Sequence, residues 1–464
     1  MNWNDPTAGA TRTSLMVLIV CVLALSACGG DGAADTAGDD AADAAADTDT
    51  TDAGDDDAGD DTADGDLPDS GEITFVATFP QDAVEPAIAA WNEEHPDLTV
   101  NYEELPFGDL NEVIRTRIGS GDATPDVYAA DQPRIAALVD DGLLTDLTDD
   151  FDDAGDLFDP STVEVSTVDG TLYAAPVNTS MVVLYYNTEL LEAAGIDAPG
   201  KQPDDRLTWE ELAELAADTQ DAGATWGFQI FRVGQIFQMQ PLAESLGGGS
   251  GMDTDTDPHT PELTNDGWIE SMEFFAQLHE DEISPRGVAV EEVPELFAAG
   301  ELAYFLGTTA HHDGWAYDID GVEYGIAPHP YFADGDAVTP TGAWSLGVNP
   351  NTENEAIARA FVRFVTATPE GSEAWAEGVG NIPANVETQA GYFENPIYAD
   401  DDEYATAELI DYELNNTARN RARTPDFIEF ETILEDTFDD IRNGQPVAET
   451  LENAEEELQG GRGR

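Results

Sequence analysis

From Gly71 onward, short runs of β-branched and aromatic residues alternate with stretches in which apolar side chains recur every three or four positions. Ile73-Thr-Phe-Val-Ala-Thr-Phe79 reads as a buried first strand, and Val84, Ile88 and Trp91 follow at helical spacing. Leu98 to Tyr102 reads as a second strand, Leu110, Val113, Ile114 and Ile118 mark a helix, and Asp126 to Ala130 forms a third strand. Asp131 and Pro133 open the next helix. This βαβαβα order is the mark of α/β layering. Further along, Thr208-Trp-Glu-Glu211 has the form of a capping box ahead of Leu212 and Leu215. Ile357, Phe361, Phe364 and Val365 predict an amphipathic helix that stops before Pro369. Phe427, Phe430, Leu434, Phe438 and Ile441 stripe a second one, and core packing explains both stripes most simply. No repeat at a solenoid period is present.

The N-terminus follows a different pattern. Residues 14–27, SLMVLIVCVLALSA, are an apolar run too short for a comfortable membrane span, preceded by Arg12 and ending in small residues, as an export signal requires. The run closes as Leu25-Ser26-Ala27-Cys28-Gly29, which resembles the lipobox of bacterial lipoproteins. That resemblance implies cleavage over residues 1–27 and a lipid on Cys28, anchoring the exported chain to the outer face of the cytoplasmic membrane. Cys21 lies inside the signal, so the exported part has no thiol for a disulfide, a nucleophile or a metal. Residues 28–70 are almost entirely Asp, Ala, Gly and Thr, a composition that cannot bury enough surface to fold and reads as a solvated stalk.

The 464 residues carry 98 Asp and Glu against 16 Lys and Arg, a net charge of −82. Such a polyanion excludes nucleic acid as a partner. Lys201 is the only lysine, and the acidic excess persists well beyond the stalk. Lysine depletion with aspartate excess fits a surface adapted to high salt, where counterions screen self-repulsion. With 41% apolar residues the chain still has the material for a core, and its length predicts two or three domains.

Patterns that carry covalent or metal chemistry fail on inspection. Lys201 is followed by Gln202, which is no phosphate loop, and the glycine-rich residues 247–251 hold no basic side chain and read as a turn. Ala343-Trp-Ser-Leu-Gly347 lacks the first glycine of a nucleophile elbow. His311-His312-Asp313 are adjacent, so a regular element aims them in different directions. Asp253, Asp255 and Asp257 imitate a calcium loop, but Pro258 and Thr264 occupy its glycine and glutamate positions. Paired carboxylates, as glycosidases use, have little specificity among 98 acids. No catalytic residue, metal ligand or cofactor is assigned.

The segments ITFVAT, AIAAWNEEHPDLTV, GDATPDVYAAD, DGTLYAAPVNTSMVVLYYNTELLEAAGI, LFAAGELAYFLG and GAWSLGVNPNTENEAIARAFVRFV, in this order and spacing, resemble a family 1 extracellular solute-binding protein of an ABC importer. The resemblance implies a two-lobed, type II periplasmic-binding-protein fold with three interlobe crossovers. Lobe 1 would hold residues 71–178 and 345–395, and lobe 2 residues 180–340 and 400–464, with hinges near Asn178, Gly342 and Asn395. It also implies a monomer that delivers a small solute to a membrane permease. Ligand would sit in the interlobe cleft, lined in lobe 1 by Phe79, Gln81, Asp82, Asp131 and Arg134, and at the crossovers by Asn178, Thr179, Ser180 and Trp344. From lobe 2 would come Gln235, Phe237, Thr308, Thr309, Arg421, Arg423 and Phe427.

Flat rings with planar polar partners suit a sugar, whose C–H faces stack and whose hydroxyls pair. Core packing or hinge filling explains Trp344 equally in kind, a surface role explains Asp82, and helix capping explains Asp131. Maltodextrin-type members often carry Trp shortly after the glycine matched by Gly307, where this chain has Thr308 and Thr309, so a smaller sugar or another polar solute gains weight. A polyamine or other cation in a carboxylate and aromatic cage, or an exported hydrolase, are the alternatives. If the charge reading is right, raising KCl from millimolar to molar raises the melting temperature; a flat or falling trend in calorimetry contradicts it.

Overall fold

The computed structural model describes residues 67–254, 256–290, 292–318, 322–399 and 405–461. The export signal, Cys28 and all but the last residues of the stalk lie outside the described residues, as does Asp255. Seven strands form one continuous path in the spatial order Leu98–Glu104, Gly71–Ala77, Val127–Asp131, Thr339–Val348, Ala174–Asn187, Leu302–Thr308, Trp226–Ile230. The first three are mutually parallel, as βαβ crossovers require. The two in the middle run antiparallel to each other and to their outer neighbours.

The strand Ala174–Asn187 is long because it belongs to two half-sheets. Residues 174–181 of the strand Ala174–Asn187 pair with Thr339–Val348, and its residues 182–186 pair with Leu302–Thr308. Nearly every side chain of this strand is buried, so it reads as a continuous apolar run instead of an alternating one. A register shift between Trp344 and Ser345 interrupts the pairing near the midpoint.

Helices cover both half-sheets. In the first half, Phe75, Trp91, Phe361, Phe364 and Trp375 pack into one cluster. The helix Glu355–Ala367 contributes the expected stripe, and Thr368 caps the next helix by accepting from the Gly371 N–H at 3.1 Å, with Pro369 at its first turn. In the second half, Trp209, Phe228, Trp268, Phe430 and Phe438 share a core. The capping box forms as expected: Thr208 Oγ1 accepts from the Glu211 N–H at 3.1 Å, and Glu211 accepts from the Thr208 N–H at 2.9 Å. The stripe from Phe427 to Ile441 is fully buried. Residues 382–398 touch both halves, since Ala384 packs with the first core while Ile382 and Tyr398 pack in a separate cluster with Tyr185, Phe297 and Phe305.

Buried histidines give this fold a pH signature. His329 is 1% exposed and packs edge-on against Trp209 at 5.5 Å. Burial, and then the Arg206 guanidinium, push its pKa down to about 3. The unfolded chain takes that proton near pH 6.5. Stability is therefore present above about 6.5 and lost as pH falls toward 3, by about 1.4 kcal/mol per pH unit for this one group. Glu244, raised to about 7 by burial, works in the opposite direction. Comparison with His329→Gln cancels Glu244, so the variant is expected to show a shallower fall of melting temperature between pH 6.5 and 4.5. Parallel curves contradict the assignment.

Candidate functional site

The site is built where the shared strand Ala174–Asn187 passes from one half-sheet to the other. Asp131, Trp344 and Asn178 stand opposite one another on three neighbouring strands, so they form a single row. Residues directly opposite on antiparallel strands share a face. The Trp344 N–H donates to Asn178 Oδ1 at 3.1 Å. The partly exposed Trp344 ring meets the edge of Phe79 at 5.4 Å and of Phe107 at 6.0 Å. Phe79 turns its other side to Trp375 at 5.3 Å, and its carbonyl accepts from the Tyr102 hydroxyl at 2.5 Å. Burial raises the Tyr102 pKa and keeps that donor protonated. Beside the row, Gly342 makes room: a Cβ there would stand 3.2 Å from both the Phe237 ring and Ser180 Oγ. Ser180 Oγ donates to the Gly342 carbonyl at 3.0 Å, tying the two crossover strands together.

One end of the row is a knot of charge. Asp131, 5% exposed, accepts from Arg421 in bidentate geometry at 2.9 and 3.2 Å, and Arg134 lies 3.5 Å from the same carboxylate. Arg134 donates to Glu431 at 2.5 and 3.1 Å, with its guanidinium 4.8 Å above the Phe107 ring. Burial works against the Arg134 charge, but Asp131 and Glu431 outweigh it and hold the guanidinium protonated. The Arg421 guanidinium lies 5.3 Å over Phe237. Arg232, from the other half, reaches to 5.7 Å from the Phe107 ring and donates to Gln235 Oε1 at 3.1 Å. A cavity of about 450 Å³ opens beside these groups, lined by Phe107, Asn111, Arg134, Gln235, Glu431 and Glu435.

The other end starts at Thr308 and Thr309, where the strand Leu302–Thr308 gives way to a helix. The Thr308 N–H donates to His311 Nδ1 at 3.1 Å, and burial pushes the His311 pKa down to about 4, so the ring is neutral. His312 instead faces the Tyr324 hydroxyl and the Ile397 carbonyl. Asp313 accepts from the Tyr392 and Tyr398 hydroxyls at 2.7 and 2.5 Å on one oxygen, and burial raises its pKa to about 6. The three consecutive side chains thus serve three separate partners. A cavity of about 770 Å³ lies here, lined by Ala310, Asp313, Glu377, Gly380, Tyr392 and Asn395, within the usual size of a small-molecule pocket.

The residues expected from sequence divide into three groups. Phe79, Asp131, Arg134, Asn178, Thr179, Ser180, Phe237, Trp344 and Arg421 are tied to one another by the row and its contacts. Thr308 and Thr309 precede Ala310, which lines the 770 Å³ cavity, and Gln235 lines the smaller cavity. The remaining four lie off the row, though Arg423 lines a cavity of about 920 Å³ together with Arg421. Gln81 and Asp82 are exposed at the start of a helix, and Arg423 pairs with Glu164 at 3.2 Å and with the Thr167 carbonyl at 2.7 Å. Phe427 is 0% exposed in the second-half core, the place its own helical stripe predicts, so it presents no surface to a cleft. Sequence reasoning missed Phe107, Arg232, Glu431 and Tyr392. The scarcity of basic residues is the signal that finds Arg232: in a chain with 16 cations, one beside a cleft phenylalanine stands out.

Three expected residues hold buried polar atoms that make no hydrogen bond within the protein: Asn178 Nδ2, Thr309 Oγ1 and Arg421 Nε. Buried polar groups are nearly always paired, and the Asn178 and Arg421 atoms, which lie in or beside the row, are available to a polar partner from outside the chain.

A family model for bacterial extracellular solute-binding proteins matches residues 77–371. The chain belongs to that family. Among relatives of this solute-binding protein, the galactooligosaccharide-binding protein of Bacillus subtilis is 24% identical over 311 residues, 65% of this chain and 70% of its own. The maltodextrin-binding protein MdxE of the same organism is 24% identical over 375 residues, 78% of this chain and 82% of its own. Among solved structures, the ABC substrate-binding protein Lmo0181 from Listeria monocytogenes, in complex with cycloalternan, superposes with a TM-score of 0.73 at 20% identity. The match covers 85% of this chain and 99% of that one, so the two share a fold along nearly their whole folded length.

Proposed function

We propose that this solute-binding protein is the lipid-anchored, cell-surface receptor of an ABC importer, and that it captures a carbohydrate in the cleft around Trp344. The observation that carries the reading is the Trp344, Phe79 and Phe107 nest, beside which Asn178 Nδ2 and Arg421 Nε have no partner within the protein. Aromatic faces accept the C–H surface of a pyranose, and buried donors left without partners reject ligands that lack the matching hydroxyls. The names of the sugar-binding relatives support the ligand class.

In this reading residues 71–178 and 345–395 form one lobe and residues 180–340 and 400–464 the other. Ligand contacts from both lobes stabilise the closed form, and the chain hands over its guest unaltered. The protein acts as a monomer tethered through Cys28, with residues 28–70 as a stalk that lets the cleft reach the permease.

Titration calorimetry with a panel of mono- and disaccharides in molar KCl is expected to find at least one binder, and Trp344→Ala to weaken it tenfold or more, from a contribution of about 1 to 2 kcal/mol. Silence across the panel contradicts a sugar ligand, and an unchanged constant moves Trp344 to a packing role. Cys28→Ser is expected to release the protein from washed membranes into the medium; retention there contradicts the anchor.

A further inference from the structure

The structure assigns Arg134, Asp131, Arg421 and Glu431 a role in addition to ligand recognition: they form a clasp that draws the two halves of the molecule together across the cleft. Asp131 ends a strand of the first half-sheet, and Arg134 closes the one-turn helix that follows it. Glu431 sits on the helix Phe427–Arg442, whose Phe430 and Leu434 are in the second core, and Arg421 adjoins Ala422 of that same core. Both ion pairs therefore cross from one half to the other.

Their burial decides what they do. Side-chain exposure is 6% for Arg134 and 11% for Glu431, and 10% for Arg421 and 5% for Asp131. Exposed pairs contribute little and are screened by salt, whereas a buried pair that loses one partner leaves an uncompensated charge in a poor solvent for it. Separating the halves breaks four charge-assisted hydrogen bonds, two in each pair, and returns the four charges to water. The pairs thus favour the closed arrangement whether or not anything occupies the cleft. Glu435, one turn after Glu431, adds to the negative potential on Arg134. Arg134 stacked on Phe107 and Arg421 stacked on Phe237 fix each guanidinium in line with its carboxylate. These are positioning residues: they set how far the lobes open and so how readily the Trp344 surface is presented.

Small-angle X-ray scattering on the purified protein without added sugar tests this independently of the carbohydrate reading. Glu431→Gln and Asp131→Asn are each expected to raise the radius of gyration above that of the wild type, with circular dichroism showing native secondary structure. Arg363→Gln, which removes a pair with Asp153 inside the first half at 3.1 Å, is expected to leave the radius unchanged. A wild-type radius in both Glu431→Gln and Asp131→Asn overturns the clasp, as does an equal rise in Arg363→Gln.

Discussion

One strand is asked to serve two half-sheets, and the rest of the molecule is arranged around that demand. Ala174–Asn187 pairs first with Thr339–Val348 and then with Leu302–Thr308, while Thr339–Val348 stays in the first half-sheet beside Val127–Asp131. Backbone hydrogen bonds must be satisfied along its whole length, since an unpaired buried amide costs as much as a lost hydrogen bond. Near its midpoint the register slips, and there Asn178 receives the Trp344 N–H with its side chain. A site at this point has rigid strands on both sides and a built-in place to bend.

Electrostatics is organised by the same geometry. The surface is uniformly acidic, so cations are scarce, yet Arg134, Arg232 and Arg421 all lie around Phe107 and Phe237. Inside, each buried carboxylate of the clasp has a guanidinium partner, and Asp313 has two phenol donors. High salt screens the outer charges strongly and the buried pairs weakly, so the two populations of charge respond separately to the medium.

Much of this architecture is legible in the sequence because it is local. Strand and helix periods, the Thr208 capping box and the stop before Pro369 all follow from side chains a few positions apart. Asp131 is named because it ends a recognisable strand, whereas Asn178 and Trp344 are named from the family resemblance, which puts the crossovers there. The partnership of Arg134 with Glu431, 297 residues away, leaves no local trace, and neither does the meeting of Asp313 with Tyr392 and Tyr398. Phe427 shows the converse. Its spacing with Phe430 and Leu434 is a core pattern, and that pattern outweighs the position of the residue near the late cleft segment.

The most direct test of the account is where a bound saccharide protects the backbone. Hydrogen–deuterium exchange with and without a sugar that binds should show slowed exchange concentrated at residues 178–181, 308–311 and 341–344, with the outer strands unaffected. Protection confined to one half, or to a surface away from the crossing strands, would contradict it.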